Sequence, residues 1–365
     1  MAKRKLVLEN GLVFEGNGFG SEKEAIAELV FNTSVVGYQE ILSDPVNYGR
    51  MICMTYPVIG SYGLTDEDYE SKTITVSGLV VREYNDIPSN FRYTHKLGEV
   101  MDEYDVPGIE GIDTRQIAKI IRDTGTMKAL ICDVDKPMAE CMSLIGNYLE
   151  DANLASKVST KKVMHSRTTN PLFTVVAIDC GIRRSLVKML NASGCNVVVV
   201  PYNTSVEAIL KHKPDGIIIT DGPGNPACCF EAINIVKELK GKLPILGIGH
   251  GQEIIALAYG ANIYKEKAGH NGCNLPVRNI SSGKIQITTQ NSLYAIDEET
   301  LNGKLNVTHV NVLDGSVAGV INEDDMVMAI QYKPVLNDDK ENAFNRYVAL
   351  IKKYRGEKNA KKNRY

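Results

Sequence analysis

Ten consecutive residues in the second half of the chain, Pro244-Ile245-Leu246-Gly247-Ile248-Gly249-His250-Gly251-Gln252-Glu253, have the pattern of a strand, a sharp turn and the start of a helix. A strand that enters a helix through a turn flanked by glycines has the geometry of a nucleophile elbow, in which one residue sits at the apex. The dipole of the following helix favours a thiolate at that position. The apex residue here is Gly249, which has no side chain and cannot attack a substrate. The sequence therefore predicts an elbow that lacks its nucleophile.

Strands and helices alternate on both sides of this elbow. Short apolar, β-branched runs predict buried strands at 175–178, 196–200, 216–220 and 245–248. Amphipathic patterns predict helices at 184–190, 206–211, 232–239 and 252–258. This alternation is typical of an α/β domain with a mostly parallel sheet covered by helices on both faces. Later runs predict strands at 284–289, 305–309 and 326–330 and a closing helix at 343–354.

The first 150 residues have a different pattern, which predicts an α+β domain rich in strands. Two short apolar runs surround Asn10-Gly11, a pair that predicts a hairpin with positive φ at both turn positions. Asp113 is predicted to cap a helix, because Gln116 follows three residues later and isoleucines recur on one face beyond it. Strand-type runs are predicted at 25–31, 51–56 and 74–81.

Composition and linker patterns suggest how the chain is divided. A length of 365 residues fits two domains. The polar stretch at 157–170, crowded with Ser, Thr and Lys, is the best linker candidate. We predict an N-terminal domain at 1–153, a linker at 154–172, an α/β domain at 173–356 and a basic, solvated tail at 357–365.

Charge and cysteine usage exclude several classes of function. A formal net charge of -3 offers no basic excess for phosphates, so nucleic acid is not an expected partner. No apolar run is long enough to span a bilayer, and no leader is expected, so we predict a cytoplasmic location. The eight cysteines are scattered without a Cys-x-x-Cys pair, which predicts neither a zinc site nor disulfides. The chain contains no phosphate-binding Gly-x-x-x-x-Gly-Lys loop, and no cofactor is expected.

Several motifs outside the elbow form a specific combination. They are Phe31-Asn32-Thr33-Ser34, Gly37-Tyr38-Gln39-Glu40-Ile41-Leu42, Asp44-Pro45, Ser89-Asn90-Phe91-Arg92, Gly111-Ile112-Asp113-Thr114-Arg115 and Gly222-Pro223-Gly224. Along nearly its whole length the chain resembles the small subunit of carbamoyl phosphate synthetase, a family with a class I glutamine amidotransferase domain. The resemblance implies docking through the N-terminal domain on a large subunit that uses ATP, in pyrimidine or arginine biosynthesis.

The resemblance also identifies the residues that occupy the family's catalytic positions. The family hydrolyses glutamine with a Cys-His-Glu triad, and its Gly-Ile-Cys-Leu-Gly-His-Gln elbow corresponds to 247–253, which places Gly249 at the cysteine. The family's His-Pro-Glu corresponds to Lys333-Pro334-Val335. A lysine is protonated at neutral pH and makes a poor base unless it is strongly desolvated. The triad is therefore predicted to be degenerate and glutamine hydrolysis to be lost.

The glutamine pocket of the family has changed as well. Val46 replaces the serine after Asp-Pro, Glu253 replaces a glutamine, and Gln290-Asn291-Ser292-Leu293-Tyr294 replaces Gln-Asn-His-Gly-Phe. We therefore expect little glutamine binding. The remnant of the pocket is predicted to comprise Val46, Gly222, Gly224, His250, Glu253, Asn291, Leu293 and Tyr294.

Three functions remain open at this point. The first is a non-catalytic small subunit whose large subunit uses free ammonia. The second is an amidohydrolase whose catalytic groups have moved, for which Cys228, Cys229, His250 and Ser292 are candidates. We interpret the two cysteines as buried spacers and His250 as a partly exposed surface residue. The third is a stand-alone pseudoenzyme that senses a polar metabolite in the old pocket.

Overall fold

The chain is divided into two units, which are described here from a computed structural model that covers residues 2–337, 339 and 342–362. The first unit consists of Met1–Asp151 together with Glu266–Cys273, and the second of Ala152–Lys265 together with Asn274–Tyr365. Across the described residues, no helix combines the length and the apolar character needed to span a membrane.

The first unit is built around a closed barrel with the strand order β1-β2-β8-β6-β4-β3-β9. Closure pairs both edges of the sheet, so these strands leave no open edge. The strands of the unit are β1 (Lys3–Leu8), β2 (Val13–Gly20), β3 (Ala25–Asn32), β4 (Arg50–Met54), β5 (Val58–Ile59), β6 (Gly78–Val80), β7 (Glu83–Tyr84), β8 (Pro107–Glu110) and β9 (Met127–Asp133). Its helices are α1 (Tyr38–Ser43), α2 (Leu97–Glu103), α3 (Thr114–Thr124) and α4 (Met138–Asn147).

Two local predictions for this unit have different outcomes. The capped helix is confirmed as α3, because the Asp113 carboxylate accepts a hydrogen bond from the Gln116 backbone N–H at 3.0 Å. Its apolar face buries Ile117 and Ile121 completely in the barrel core. The predicted turn geometry of the first hairpin is wrong, because β1 and β2 are joined by four residues, 9–12, and only Gly11 has a positive φ, of 87°. The Asn10 side chain instead accepts from the Leu12 N–H at 3.1 Å and stabilises the longer loop.

The second unit contains a ten-stranded sheet with the order β10-β12-β11-β13-β14-β19-β18-β17-β15-β16. The central strands β12, β11, β13, β14 and β19 run parallel, as the alternating pattern predicts. The strands are β10 (Met164–Ser166), β11 (Phe173–Asp179), β12 (Cys195–Pro201), β13 (Gly216–Ile219), β14 (Ile245–Ile248), β15 (Ile263–Asn279), β16 (Ile285–Ile296), β17 (Asn306–Asn311), β18 (Val317–Asn322) and β19 (Val327–Ile330). The helices are α5 (Ala155–Val158), α6 (Arg184–Ala192), α7 (Val206–Lys211), α8 (Phe230–Leu239), α9 (His250–Ala258) and α10 (Ala343–Lys362).

The core of this unit lies in two layers, one on each face of the sheet. The first layer contains Val176, Ile178 and Ile219 with α8 and α9, and the second contains Val175 and Ala177 with α6 and α10. Successive residues of one strand therefore enter opposite layers, as expected for a parallel strand buried on both faces. The C-terminal ends of β11, β13 and β14 meet at one edge of the sheet, where the candidate site lies.

Three segments differ from the sequence prediction. The stretch predicted as a linker, 154–172, contains α5 and β10, because its polar residues form an edge strand that pairs with β12. Helix α10 continues to Lys362, so 357–362 is helical, whereas the last residues of the predicted tail lie outside the described part. Strand β15 was not predicted, since its charged residues and glycines lack an apolar period of two.

Candidate functional site

The elbow predicted from the sequence is confirmed as a strand–turn–helix unit. Strand β14 ends at Ile248, Gly249 makes the turn, and α9 begins at His250. Gly249 has φ 51° and ψ -118°, the conformation of the first central residue of a type II′ turn, which glycine dominates. Its N–H donates to the Ile330 carbonyl of the neighbouring strand at 2.8 Å. The turn is further fixed at Gly251, where an added Cβ would lie 2.2 Å from the Ile219 carbonyl oxygen.

The carboxylate of Asp221 occupies the space above this turn. Asp221 lies two residues beyond the end of β13 and is 6% exposed. Its Oδ1 accepts hydrogen bonds from the His250 and Gly222 backbone N–H groups, each at 3.0 Å. His250 is the first residue of α9, so the carboxylate that accepts from its N–H lies at the positive end of the helix dipole.

The two amides that Asp221 engages are the kind that form an oxyanion hole. In nucleophile elbows the hole combines the N–H of the residue after the apex with an N–H from a neighbouring loop. His250 supplies the first type here, and Gly222 supplies the second. Both N–H groups point to a single oxygen, which belongs to the protein itself.

The same carboxylate fills the space that an apex side chain needs. A Cβ added at Gly249 would lie 2.3 Å from Asp221 Oδ1, 2.5 Å from its Cγ and 2.7 Å from its Oδ2. Contacts below 3.0 Å require one of the two groups to move. In this arrangement Gly249 and Asp221 are a matched pair, because the absence of one side chain makes room for the other.

A second cluster of functional groups lies beside the elbow. Cys229 is the N-cap residue of α8, and its Sγ is 3.4 Å from His250 Nε2. The thiol of Cys180, directly after β11, donates to the Cys229 sulfur. This hydrogen bond, together with that of the His250 ring and its charge, outweighs burial and lowers the pKa of Cys229 to about 5. The same hydrogen bond and burial raise the pKa of Cys180 well above its ordinary value. We refer to Cys180, Cys229 and His250 as the thiol cluster.

The thiol cluster corrects one expectation and refines another. His250 was expected to be partly exposed, and that prediction is wrong, because the residue is only 5% exposed and its ring packs against a sulfur. Cys229 is buried as expected, at 2% exposure, but it contacts an imidazole and is more than a spacer. Cys228 is half-buried, and burial raises the pKa of its thiol.

Several predicted pocket residues lie on α9 and β16, two elements that contact each other. Glu253 is 1% exposed on the first turn of α9. Asn291 and Leu293 are buried on β16, and Tyr294 beside them is half-buried. The Tyr294 carbonyl accepts from the side-chain amide of Gln331 at 3.5 Å. These residues therefore belong to one region of the second unit.

The remaining predicted residues are placed differently. The Lys333 backbone N–H donates to the Thr289 carbonyl at 2.8 Å. Val335 is 57% exposed and lines an open depression of about 490 Å³ beside Leu186 and Met189 of α6.

The other predicted residues are two glycines and one valine. A Cβ at Gly222 would lie 2.6 Å from the Cys180 carbonyl oxygen, and Gly224 has a φ of 81°, so both positions require glycine. Val46 lies in a short 3-10 turn, Pro45–Asn47, of the first unit and is 1% exposed.

Sequence reasoning missed Asp221 and Cys180 as site residues. Cys180 is the first residue after β11 and Asp221 the second residue after β13. The carboxyl ends of such parallel strands meet at one edge of the sheet, where ligands bind. That rule was sufficient to place them near the elbow. Only the structure shows that the Asp221 side chain turns back onto the elbow amides.

Comparison with known proteins identifies the class of both domains. Residues 6–131 match the family model described as "Carbamoyl-phosphate synthase small chain, CPSase domain", and residues 176–343 match "Glutamine amidotransferase class-I". The second unit, with its parallel sheet and elbow, thus has the class I glutamine amidotransferase fold.

Relatives that match along nearly the full length identify the family. A carbamoyl phosphate synthase small chain from Staphylococcus saprophyticus is 40% identical over 359 residues, covering 97% of this chain and 98% of that protein. The small chain from Bacillus thuringiensis is 40% identical over 365 residues, with the same coverage. A pyrimidine-specific small chain from Halalkalibacterium halodurans is 39% identical over 353 residues, covering 96% and 97%. The chain belongs to the carbamoyl phosphate synthase small-chain family.

Proposed function

We propose that this protein is a small subunit that binds a carbamoyl phosphate synthetase large subunit but does not hydrolyse glutamine. The complex then takes free ammonia as its nitrogen donor. The small-chain family implies a large-subunit partner, and this chain covers its relatives almost completely. The pathway is expected to be pyrimidine or arginine biosynthesis, with a heterodimer as the working unit.

The contact of the Asp221 carboxylate with the elbow amides is the observation that carries the loss of hydrolysis. A glutaminase of this type needs a thiolate at the apex and an empty pair of N–H groups for the oxyanion of the tetrahedral intermediate. Gly249 supplies no thiolate. Asp221 Oδ1 accepts from both N–H groups at 3.0 Å. Removal of a single oxyanion-hole donor costs about 100- to 1,000-fold in rate, so losing both donors and the nucleophile leaves no route for hydrolysis at the elbow.

The first unit offers a surface that suits the partner. Its loops expose large apolar side chains at Val35, Val36, Ile87 and Phe91, with exposures of 55%, 67%, 80% and 95%. We refer to these four residues as the apolar rim. Exposed apolar clusters of this kind mark protein contact sites, and aromatic residues supply much of the binding energy.

Hydrogen bonds tie both loops of the apolar rim to one segment of the chain. The Gly37 N–H, next to Val36, donates to the Tyr62 hydroxyl at 2.8 Å. The Ser89 N–H, between Ile87 and Phe91, donates to the Ser61 carbonyl at 3.0 Å. The two loops that carry the rim are thus both anchored to the segment 61–62.

Association is tested by co-expression with the cognate large subunit and size-exclusion chromatography. We expect one peak at micromolar concentration, consistent with an interface above about 1,000 Å². Val36→Ser together with Phe91→Ser is expected to weaken association by at least 10-fold. Leu149→Ser is the matched control, since Leu149 is 88% exposed in the same unit but lies outside the rim. Two separate peaks for the unmodified pair favour the stand-alone sensor.

Nitrogen-donor use is tested on the purified complex. We expect carbamoyl phosphate to form with ammonium and ATP, and no product above background with glutamine and ATP. A glutamine analogue that alkylates thiols is expected to label no residue near the elbow. Product formation from glutamine at a rate comparable to that from ammonium contradicts the proposal.

A second candidate, a relocated amidohydrolase, is favoured by the 3.4 Å contact between Cys229 Sγ and His250 Nε2. Cys–His pairs of this type activate nucleophiles. Against this function, Cys229 is only 2% exposed, and the nearby N–H pair is already engaged. Glutamine or amide turnover that disappears in Cys229→Ser but persists in Cys228→Ser is the result that selects this candidate.

A further inference from the structure

The thiol cluster places two sulfurs and one imidazole together outside any established catalytic machinery. Cys180 and Cys229 are 49 positions apart in the sequence (229 − 180 = 49), yet a hydrogen bond joins their sulfurs. His250 Nε2 is 3.4 Å from the second sulfur. The three residues come from the end of β11, the cap of α8 and the start of α9, so the fold itself fixes their arrangement.

Cys229 is 2% exposed, but the residues on either side of it in the sequence reach the surface. Its neighbour Cys228 is half-buried, and Phe230 on the other side is 68% exposed. A peroxide molecule is scarcely larger than water, and we expect it to reach Cys229 through local opening beside the turn Pro226–Cys228.

We propose that the thiol cluster is a peroxide-reactive site at which Cys229 is oxidised and then forms a disulfide with Cys180. Thiolates and not thiols react with peroxides, and a neighbouring imidazole and a helix N-terminus both favour the thiolate. Cys229 has both neighbours, since it occupies the N-cap position of the ten-residue helix α8 and its sulfur contacts His250. The inference does not depend on the proposed function.

The chemistry balances with one peroxide as the oxidant. The Cys229 thiolate attacks one peroxide oxygen, the O–O bond breaks, and a sulfenic acid and one water are produced once the leaving oxygen is protonated. Cys180 then attacks the sulfenic sulfur, the S–O bond breaks, and a second water leaves as the S–S bond forms. Two thiols and one hydrogen peroxide thus give one disulfide and two waters.

The first step also prepares the second. In the reduced protein the Cys180 thiol is held protonated chiefly by its hydrogen bond to the Cys229 sulfur. Oxidation of the Cys229 thiolate to a neutral sulfenic acid removes the negatively charged acceptor of the Cys180 hydrogen bond. Cys180 then loses its proton more easily and becomes the attacking group.

The first unit contains a matched control for this chemistry. The sulfurs of Cys132 and Cys141 are 3.7 Å apart and both residues are completely buried. Burial and the hydrogen bond to Cys141 raise the pKa of Cys132 to about 12. Sulfur proximity without a thiolate is therefore expected to give no reaction under the same conditions.

The experiment treats the full-length Cys228→Ser variant with hydrogen peroxide, blocks the remaining thiols by alkylation and maps disulfides by mass spectrometry. Cys228→Ser leaves a single cysteine in the peptide that contains Cys229. We expect a Cys180–Cys229 disulfide and reduced Cys132 and Cys141. His250→Gln is expected to slow formation of the disulfide by at least 10-fold.

The pH dependence of the reaction separates a thiolate from an ordinary thiol. The rate is expected to be nearly constant between pH 6 and 8, whereas a thiol with a pKa near 8.5 gains roughly 75-fold in thiolate over that range. Three results overturn the proposal: no oxidation of Cys229, oxidation to a sulfinic acid without a disulfide, or equal oxidation of the Cys132–Cys141 pair.

Discussion

The contact between Gly249 and Asp221 predicts an energetic coupling that a double-mutant cycle can measure. In Gly249→Ala the new Cβ would lie 2.3 Å from Asp221 Oδ1, well inside an ordinary contact distance of about 3.5–4 Å. Its backbone conformation, φ 51° and ψ -118°, adds strain of about 1–3 kcal/mol for a residue with a Cβ. Overpacking adds about 1–3 kcal/mol. We expect Gly249→Ala to lower the free energy of unfolding by about 2–6 kcal/mol.

Removing the Asp221 side chain relieves only one of these two costs. In an Asp221→Gly background the overpacking disappears, whereas the backbone strain remains. Gly249→Ala is therefore expected to cost about 1–3 kcal/mol less in that background than in the unmodified protein. Asp221→Asn is the matched control, because it keeps the size of the side chain and should give no such relief.

The assay is urea unfolding monitored by hydrogen exchange in the segment 245–258, so that the second unit is followed by itself. Coupling is the difference between the cost of Gly249→Ala in the two backgrounds. Single-mutant costs that add to within about 0.5 kcal/mol refute the reasoning. Equal relief in Asp221→Gly and Asp221→Asn refutes its steric basis.

Three further predictions concern activity, pH and local stability. Gly249→Cys alone is expected to release no ammonia from glutamine, because the other triad positions remain changed and triad residues act as a unit. A coupled ammonia assay measures the rate, and a rate typical of the family contradicts the prediction. Burial, followed by the nearby charge of Arg346, lowers the pKa of His309 to about 4, so the unfolded state takes up the proton first as pH falls. Neutral His309 therefore makes its full contribution to the free energy of unfolding above about pH 6.5, and this contribution of at most about 3 kcal/mol is lost as the pH falls towards 4. Denaturation of His309→Gln is expected to depend less on pH over that range. Asp113→Ala is expected to cost about 1 kcal/mol through loss of the α3 cap, and an unchanged unfolding midpoint contradicts that assignment.

Local signals in the sequence predicted the parts of the fold that depend on neighbouring residues. The Asp113 cap, the parallel strands and the turn at Gly249 each follow from a short pattern of residue types. Barrel closure in the first unit and the long strand β15 depend on pairing between distant segments, for which no short pattern exists. The sequence therefore predicts the classes of the two domains better than the limits of their strands.

The candidate site likewise has features that the sequence predicts and features that only the structure shows. The missing apex side chain could be predicted, because one position decides it. The position of the Asp221 carboxylate could not, because its rotamer depends on the space left at Gly249 and on two amides from separate segments. The burial of His250 was missed for a similar reason, since its partner Cys229 lies 21 positions earlier in the chain.

Asp221 also determines how the anion site responds to molecules in solution. A carboxylate attached to the protein competes for the two amides at an effective concentration of millimolar or above, without any loss of translational freedom. A free carboxylate or phosphate that offers the same oxygen has to displace this internal ligand and accept the cost of moving it. The attached carboxylate therefore acts as a built-in competitor, and weakly binding external anions are excluded from the two amides.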